Sequence, residues 1–240
     1  MLSQNETRVR ELIETKLLGN DREETLLYHF SVGRKLRAVE LFYSNIKNIF
    51  IPQFSGTATL SASSISQPPG QELIDLSSLI DDASANIDAF FMSAKSALDS
   101  FAHELRSLYG FGGHTGDLYV ENAVELVSTN HSDTALQTYF NSSNLRDSDW
   151  FTDLKRYRRA CTHESIIPFK PSFDFDLISG QWKELFVKLP LNPGTFPPVF
   201  DNKNFIGTGE TIKEGLRIFL ISSYDKVFTD ILDNKTKIVP

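Results

Sequence analysis

From Asp81 to Tyr109 the apolar residues Ile87, Phe90, Phe91, Ala94, Leu98, Phe101, Ala102, Leu105 and Leu108 recur at intervals of three and four. That spacing lines one face of an α-helix, whereas a half-buried strand would repeat every second residue. At 1.5 Å per residue such a helix is roughly 44 Å long. An apolar face of that length has to be covered by other elements, and two more segments are built to do it. Residues 147–165 carry Trp150, Leu154, Tyr157 and Cys161 at i, i+4, i+7 and i+11, and residues 210–233 carry Ile212, Leu216, Phe219, Leu220, Val227, Phe228 and Ile231 on a helical face. The pattern predicts a mostly α fold, an antiparallel helical bundle.

The remaining segments fill in around these three. Val9, Leu12, Ile13 and Leu17 suit a short helix ending near Gly19-Asn20. A longer one follows, with Leu27, Phe30, Leu41, Phe42, Ile46, Ile49 and Phe50 as its apolar positions and Pro52 as its stop. Residues 53–72 are rich in Ser, Thr and Gly and read as an excursion loop. Val120 to Val127 and Thr134 to Tyr139 read as short helices, the second capped by Ser132 or Asp133. Phe173, Phe175 and Leu177, then Leu185, Val187 and Leu189, alternate between prolines, which predicts a small hairpin or irregular arm before the last helix. The expected organisation is therefore N-terminal helices at 1–52 packing on a bundle at 73–240, with the loop between them, in a single globular unit.

Several functions are excluded or disfavoured at this level. With 24 basic against 31 acidic residues the net charge is −7, which argues against coating nucleic acid nonspecifically and leaves only local contacts. No apolar run reaches the roughly 20 residues that span a bilayer. The opening MLSQNETRVRELIE has polar and acidic residues where a secretory signal needs an apolar centre, so a cytoplasmic chain without membrane contact is expected, and its four N-x-S/T triplets are chance matches. A lone Cys161 allows no intrachain disulfide, and the five histidines never stand at ligand spacing, so neither a metal nor another cofactor is expected. No G-x-S-x-G elbow is present. The glycine cluster at 110–116 follows a helix and reads as its C-terminal stop, and Gly207-Thr208-Gly209 opens one, with Thr208 as the expected cap.

Two clusters can carry chemistry. Asp99 and His103 stand at i, i+4 with Lys95 nearby, and are expected either as a solvated pair or as secondary polar contributors to a site. The denser cluster is Lys155-Arg156-Tyr157-Arg158-Arg159, followed by His163. At 100° per residue Arg156, Arg159 and His163 fall opposite the 150/154/157/161 stripe, and Arg158 lies about 40° from Leu154 at its edge. Guanidinium groups bind phosphate and imidazole exchanges a proton near neutral pH, a combination suited to phosphodiester chemistry without metal. The bland alternative is a solvated basic face.

Arg158 to His163, with four residues between and the polar Arg159 in second place, and Arg156 to His163, with six, resemble the R-x4-6-H motif of the HEPN superfamily of nucleotide-binding helical domains. The helix FFMSAKSALDSFAHEL before the motif and a final helix after it resemble that family's bundle over residues 80–233. Arg159 departs from the Asn, Asp or His commoner at its position. The resemblance implies a metal-independent endoribonuclease that acts as a homodimer in a defence or toxin–antitoxin setting, with an antitoxin-like protein partner. His163 would act as general acid or base, Arg158 or Arg156 would stabilise the phosphorane, and Arg159 and Lys155 would bind the nucleic acid. It equally implies a second class, a non-catalytic module that binds a nucleotide, RNA or a protein.

Overall fold

A computed structural model describes residues 4–54, 70–110, 118–131, 133–163, 167, 170–176, 181–193 and 197–238. In chain order the elements are α1 (Gln4–Lys16), α2 (Gly19–Phe54), α3 (Gly70–Tyr109), α4 (Val120–Asn130), α5 (Ala135–Ser143), a 3-10 turn at Leu145–Asp147, α6 (Asp149–His163), β1 (Lys170–Asp176), β2 (Gln181–Pro190), β3 (Phe200–Asn204) and α7 (Phe205–Leu232). The fold is mostly α, with a small sheet inserted before the last helix, as the periodicities require. The sheet exceeds the expected hairpin by one strand. Its order is β1-β2-β3, antiparallel throughout, with Lys170 opposite Lys188 and Pro190 opposite Phe200.

Local corrections have local causes. Helix α2 runs two residues beyond Pro52, and α3 begins at Gly70, so both ends of the segment expected as a loop are helical. The rest of it, residues 55–69, lies outside the described residues. At α5 the cap is Thr134, whose hydroxyl oxygen accepts from the Gln137 backbone N–H at 3.1 Å, in place of Ser132 or Asp133. At α7 Asn204 accepts from the Gly207 N–H at 2.6 Å, so Thr208 already lies inside the helix. Gly110 ends α3 at φ +74, the left-handed conformation expected of a helix stop.

The chain divides into two compact units, residues 1–37, 93–152 and 212–240 in the first, and 38–92 and 153–211 in the second. The first is cored by Val9 and Ile13 of α1, Val32 of α2, Leu98, Phe101 and Leu105 of α3, Phe140 of α5, and Leu216, Phe219 and Tyr224 of α7. Phe140 stacks on Phe219 at 5.8 Å, and the Phe101 ring meets the Tyr224 ring edge-on at 5.2 Å. The second unit is organised round an aromatic cluster of Tyr43, Phe90, Phe91, Tyr157 and Phe205. Within it Phe91 stacks on Tyr157 at 4.9 Å and Phe90 meets Phe205 at 5.3 Å.

Helix α2 buries a different face from the one its largest apolar residues suggest. Thr25, His29, Val32, Val39, Tyr43 and Ile46 are buried, while Leu27, Phe30 and Leu41 face solvent. The two sets lie on opposite sides of the helix, about 170° apart at 100° per residue.

Candidate nucleic-acid interface

The C-terminal half of α6, in the second unit, carries the basic cluster. It is held from its apolar side: Leu154, Tyr157 and Ala160 are buried, and the Tyr157 hydroxyl donates to the Pro190 carbonyl at 3.1 Å. Phe151 is buried on the same helix. The buried stripe is therefore 151/154/157/160, and Trp150 and Cys161, near the two ends of α6, are only half-buried. Arg156, which the wheel sets opposite the stripe, is half-buried. Lys155 and Arg159 are exposed, and Arg158 is half-buried at the edge of the stripe. His163 is the last residue of α6, and its side chain lies outside the described set.

These cations are not equivalent. Arg156 lies 3.6 Å from the Asp153 carboxylate and donates to the Leu191 carbonyl at 3.4 Å; the same carboxylate takes Lys203 Nζ at 2.9 Å. One acid thus offsets two bases, which lowers what Arg156 can give to a phosphate. Arg159 has no ion partner among the described residues. The basic residues also sit in the C-terminal half of α6, where the helix dipole favours cations, so the helix itself gains from them.

Cys161 is no nucleophile at neutral pH. Burial pushes its thiol up, the Asp88 carboxylate beside it adds to the effect, and the thiol donates to Asp88 Oδ1 at 3.5 Å. Asp88 also accepts from the Ile167 N–H at 3.4 Å, and burial raises its own pKa against those donors.

Asp99 and His103 belong to the first unit, and the cluster at 155–163 to the second. Asp99 accepts from Lys95 Nζ at 2.5 Å. Lys95, only 5% exposed, also pairs with Glu121 at 3.4 Å and lies 4.9 Å above the Tyr119 ring. Burial raises the Asp99 carboxyl above its ordinary value against the pull of Lys95, and His103 stacks on Tyr28 at 4.9 Å. Neither is the freely solvated group the spacing suggested.

Among the described histidines, the most perturbed was invisible to motif reading. His29, 2% exposed, places Nδ1 2.9 Å from Glu104 Oε1 and Nε2 2.8 Å from Glu6 Oε1; the Tyr224 hydroxyl donates to Glu104 Oε2 at 2.6 Å. Burial alone would lower the imidazole pKa, but the two carboxylates outweigh it and raise it to about 9. The signal available in the sequence was Glu104, which shares a helical face with Ala97, Phe101 and Leu108. An acid there must find a partner.

Among the described residues no helix is long and apolar enough to cross a membrane, and no set of three or more His, Cys, Asp or Glu side chains is grouped as metal ligands. No protein-family model, curated protein or solved structure matches the chain significantly.

Proposed function

We propose that this chain is an RNA-binding helical module of the HEPN kind that cuts RNA without a metal at the solvent face of α6. The observation that supports the reading is α6 itself. It is one helix from Asp149 to His163 whose apolar side is committed to packing through Leu154 and Tyr157, while Lys155 and Arg159 remain exposed on the other. In this reading two copies bring their α6 helices to a shared cleft. One His163 takes the proton of a ribose 2′-hydroxyl, whose oxygen attacks the adjacent phosphorus. The P–O5′ bond breaks, and the partner's His163 returns a proton to the leaving oxygen, yielding a cyclic phosphate and a 5′-hydroxyl. Arg158 or Arg156 offsets the charge that develops on the phosphorane, and Arg159 and Lys155 hold the RNA backbone. A cytoplasmic site of action and an antitoxin-like protein partner belong to the same reading.

The test incubates purified protein with mixed RNA in EDTA. The expected result is cleavage that His163→Ala slows by roughly 10²–10⁴-fold with the circular dichroism spectrum unchanged. No cleavage at any concentration, or cleavage indifferent to His163→Ala, overturns the catalytic reading. One observation favours the second reading, a non-catalytic module that binds RNA, a nucleotide or a protein. Arg156, one of the two arginines in motif spacing with His163, is engaged by Asp153. RNA retention without cleavage is the result that would establish that module.

A further inference from the structure

The solvent face of α2 in the first unit carries Glu23, Leu27, Phe30 and Arg34, spaced four, three and four residues apart. This is the spacing of a helix–helix seam, and a surface helix with only one burial partner would carry polar residues along it. All four are exposed, Leu27 by 65% and Phe30 by 48%. The opposite face of α2 is already buried through Thr25, His29 and Val32, so the seam has no role in this unit's own core.

We infer that this seam is the contact between two copies of the chain, paired antiparallel about a two-fold axis. The midpoint between Leu27 and Phe30 is also the midpoint between Glu23 and Arg34. An antiparallel pair centred there sets each Leu27 against the second copy's Phe30 and each Glu23 against the second copy's Arg34, twice over by symmetry. Neither Glu23 nor Arg34 has an ion partner among the described residues, so the pairing displaces no ion pair seen within the chain. Asn20 and Arg37, one step further out, also fall opposite each other and set no like charges together. A face with acid at one end, base at the other and apolar residues between is complementary to its own inverted copy. A partner helix of uniform charge would match only half of it. The seam is short, which places the contact at the small end of interface sizes and makes the dimer weak. The inference is independent of the RNA reading of α6.

The test is sedimentation equilibrium of the full chain over roughly 10 to 500 micromolar, a range that spans weak association. Wild type is expected to pass from monomer to dimer. Phe30→Glu should raise the dissociation constant at least about tenfold, the effect of losing an aromatic anchor. Arg34→Glu should do likewise by facing Glu23 with an acid at both symmetric positions. Glu23→Arg combined with Arg34→Glu restores opposite charges and should restore the dimer, an outcome that misfolding cannot produce. A wild-type chain that stays monomeric throughout overturns the inference, whether another protein or another segment of the chain covers the seam. So does a dimer indifferent to Phe30→Glu and Arg34→Glu, which must then form elsewhere, or a double variant that stays dissociated.

Discussion

The His29 imidazole and the Glu104 carboxylate form an ion pair at 2.9 Å between helices α2 and α3, and both side chains are withdrawn from water. The folded state raises the histidine pKa from 6.5 to about 9, so it binds the proton more tightly than the unfolded chain does. The stabilisation is complete below pH 6.5, declines between 6.5 and 9, and is absent above 9. Its size is on the order of 3 kcal/mol. Urea titrations from pH 6 to 9.5 should show that loss, and His29→Ala should abolish the slope. The variant should also cost about 3–5 kcal/mol at pH 6.5, because it leaves Glu104 buried without its counter-charge. Tyr109 and Tyr224, raised above 10 first by burial and then by Asp230 and Glu104, resist ionisation when folded and so weaken the fold only above pH 10.

Asp230 gathers three donors: the backbone N–H groups of Ala135 and Leu136 at 2.6 and 3.1 Å, and the Tyr109 hydroxyl at 2.7 Å. The first two open α5, where an anion also meets the positive end of the helix dipole. Asp230→Ala strands all three and should cost about 3 kcal/mol, whereas Tyr109→Phe removes one bond and should cost about 1. The shift in the urea midpoint at constant slope measures both.

Gly215 of α7 has no room for a methyl group. A Cβ there would stand 2.4 Å from Cγ of Trp150. Gly215→Ala should therefore destabilise by about 1–3 kcal/mol despite alanine's better helix propensity, because the indole must move. Combining it with Trp150→Leu should recover part of the loss. Thermal melts of the four chains in that cycle give the coupling.

On the α6 face, Lys155→Ala and Arg159→Ala should each weaken RNA binding to a similar extent across sequences. Each should also reduce the slope of log affinity against log salt by about 0.7, the value for a single-strand phosphate contact. Arg156→Ala should do less, since that side chain is half-buried and already held by Asp153 and the Leu191 carbonyl. Fluorescence anisotropy of labelled RNA over a salt series separates the three.

The long helix and the closing helix were legible in the sequence because their apolar residues are large and their repeats long. Phe101, Leu105 and Leu108 cannot be read as anything but a buried face. In α2 the same rule put Leu27 and Phe30 inward, yet the inward seam is Thr25, His29 and Val32. Both seams keep helical spacing, so periodicity cannot choose between them. The choice is made by Glu104 and Glu6, which need the imidazole, and those partners stand 75 residues after His29 and well before it on α1. Cap positions failed for a simpler reason. Ser132, Asp133 and Thr134 all carry cap-forming oxygens, and only the backbone path decides which one meets the Gln137 N–H. For the basic cluster, the wheel set Arg159 toward solvent, and the i, i+3 spacing of Asp153 and Arg156 was there to be read; what the wheel could not find is Lys203, which the fold brings from β3 to the same acid.

The interleaving of the two units also bears on how the protein is made. The first unit needs residues 1–37 and residues 212–240 together. At about 5–20 residues per second, roughly 10 to 35 seconds separate the emergence of the first segment from that of the last. During that interval the ribosome presents α1 and much of α2 with Val9, Ile13 and Val32 uncovered and α7 not yet made. Until α7 has been made the first unit lacks one of its three segments, so its core cannot close as each helix emerges and is completed only once residues 212–240 are present.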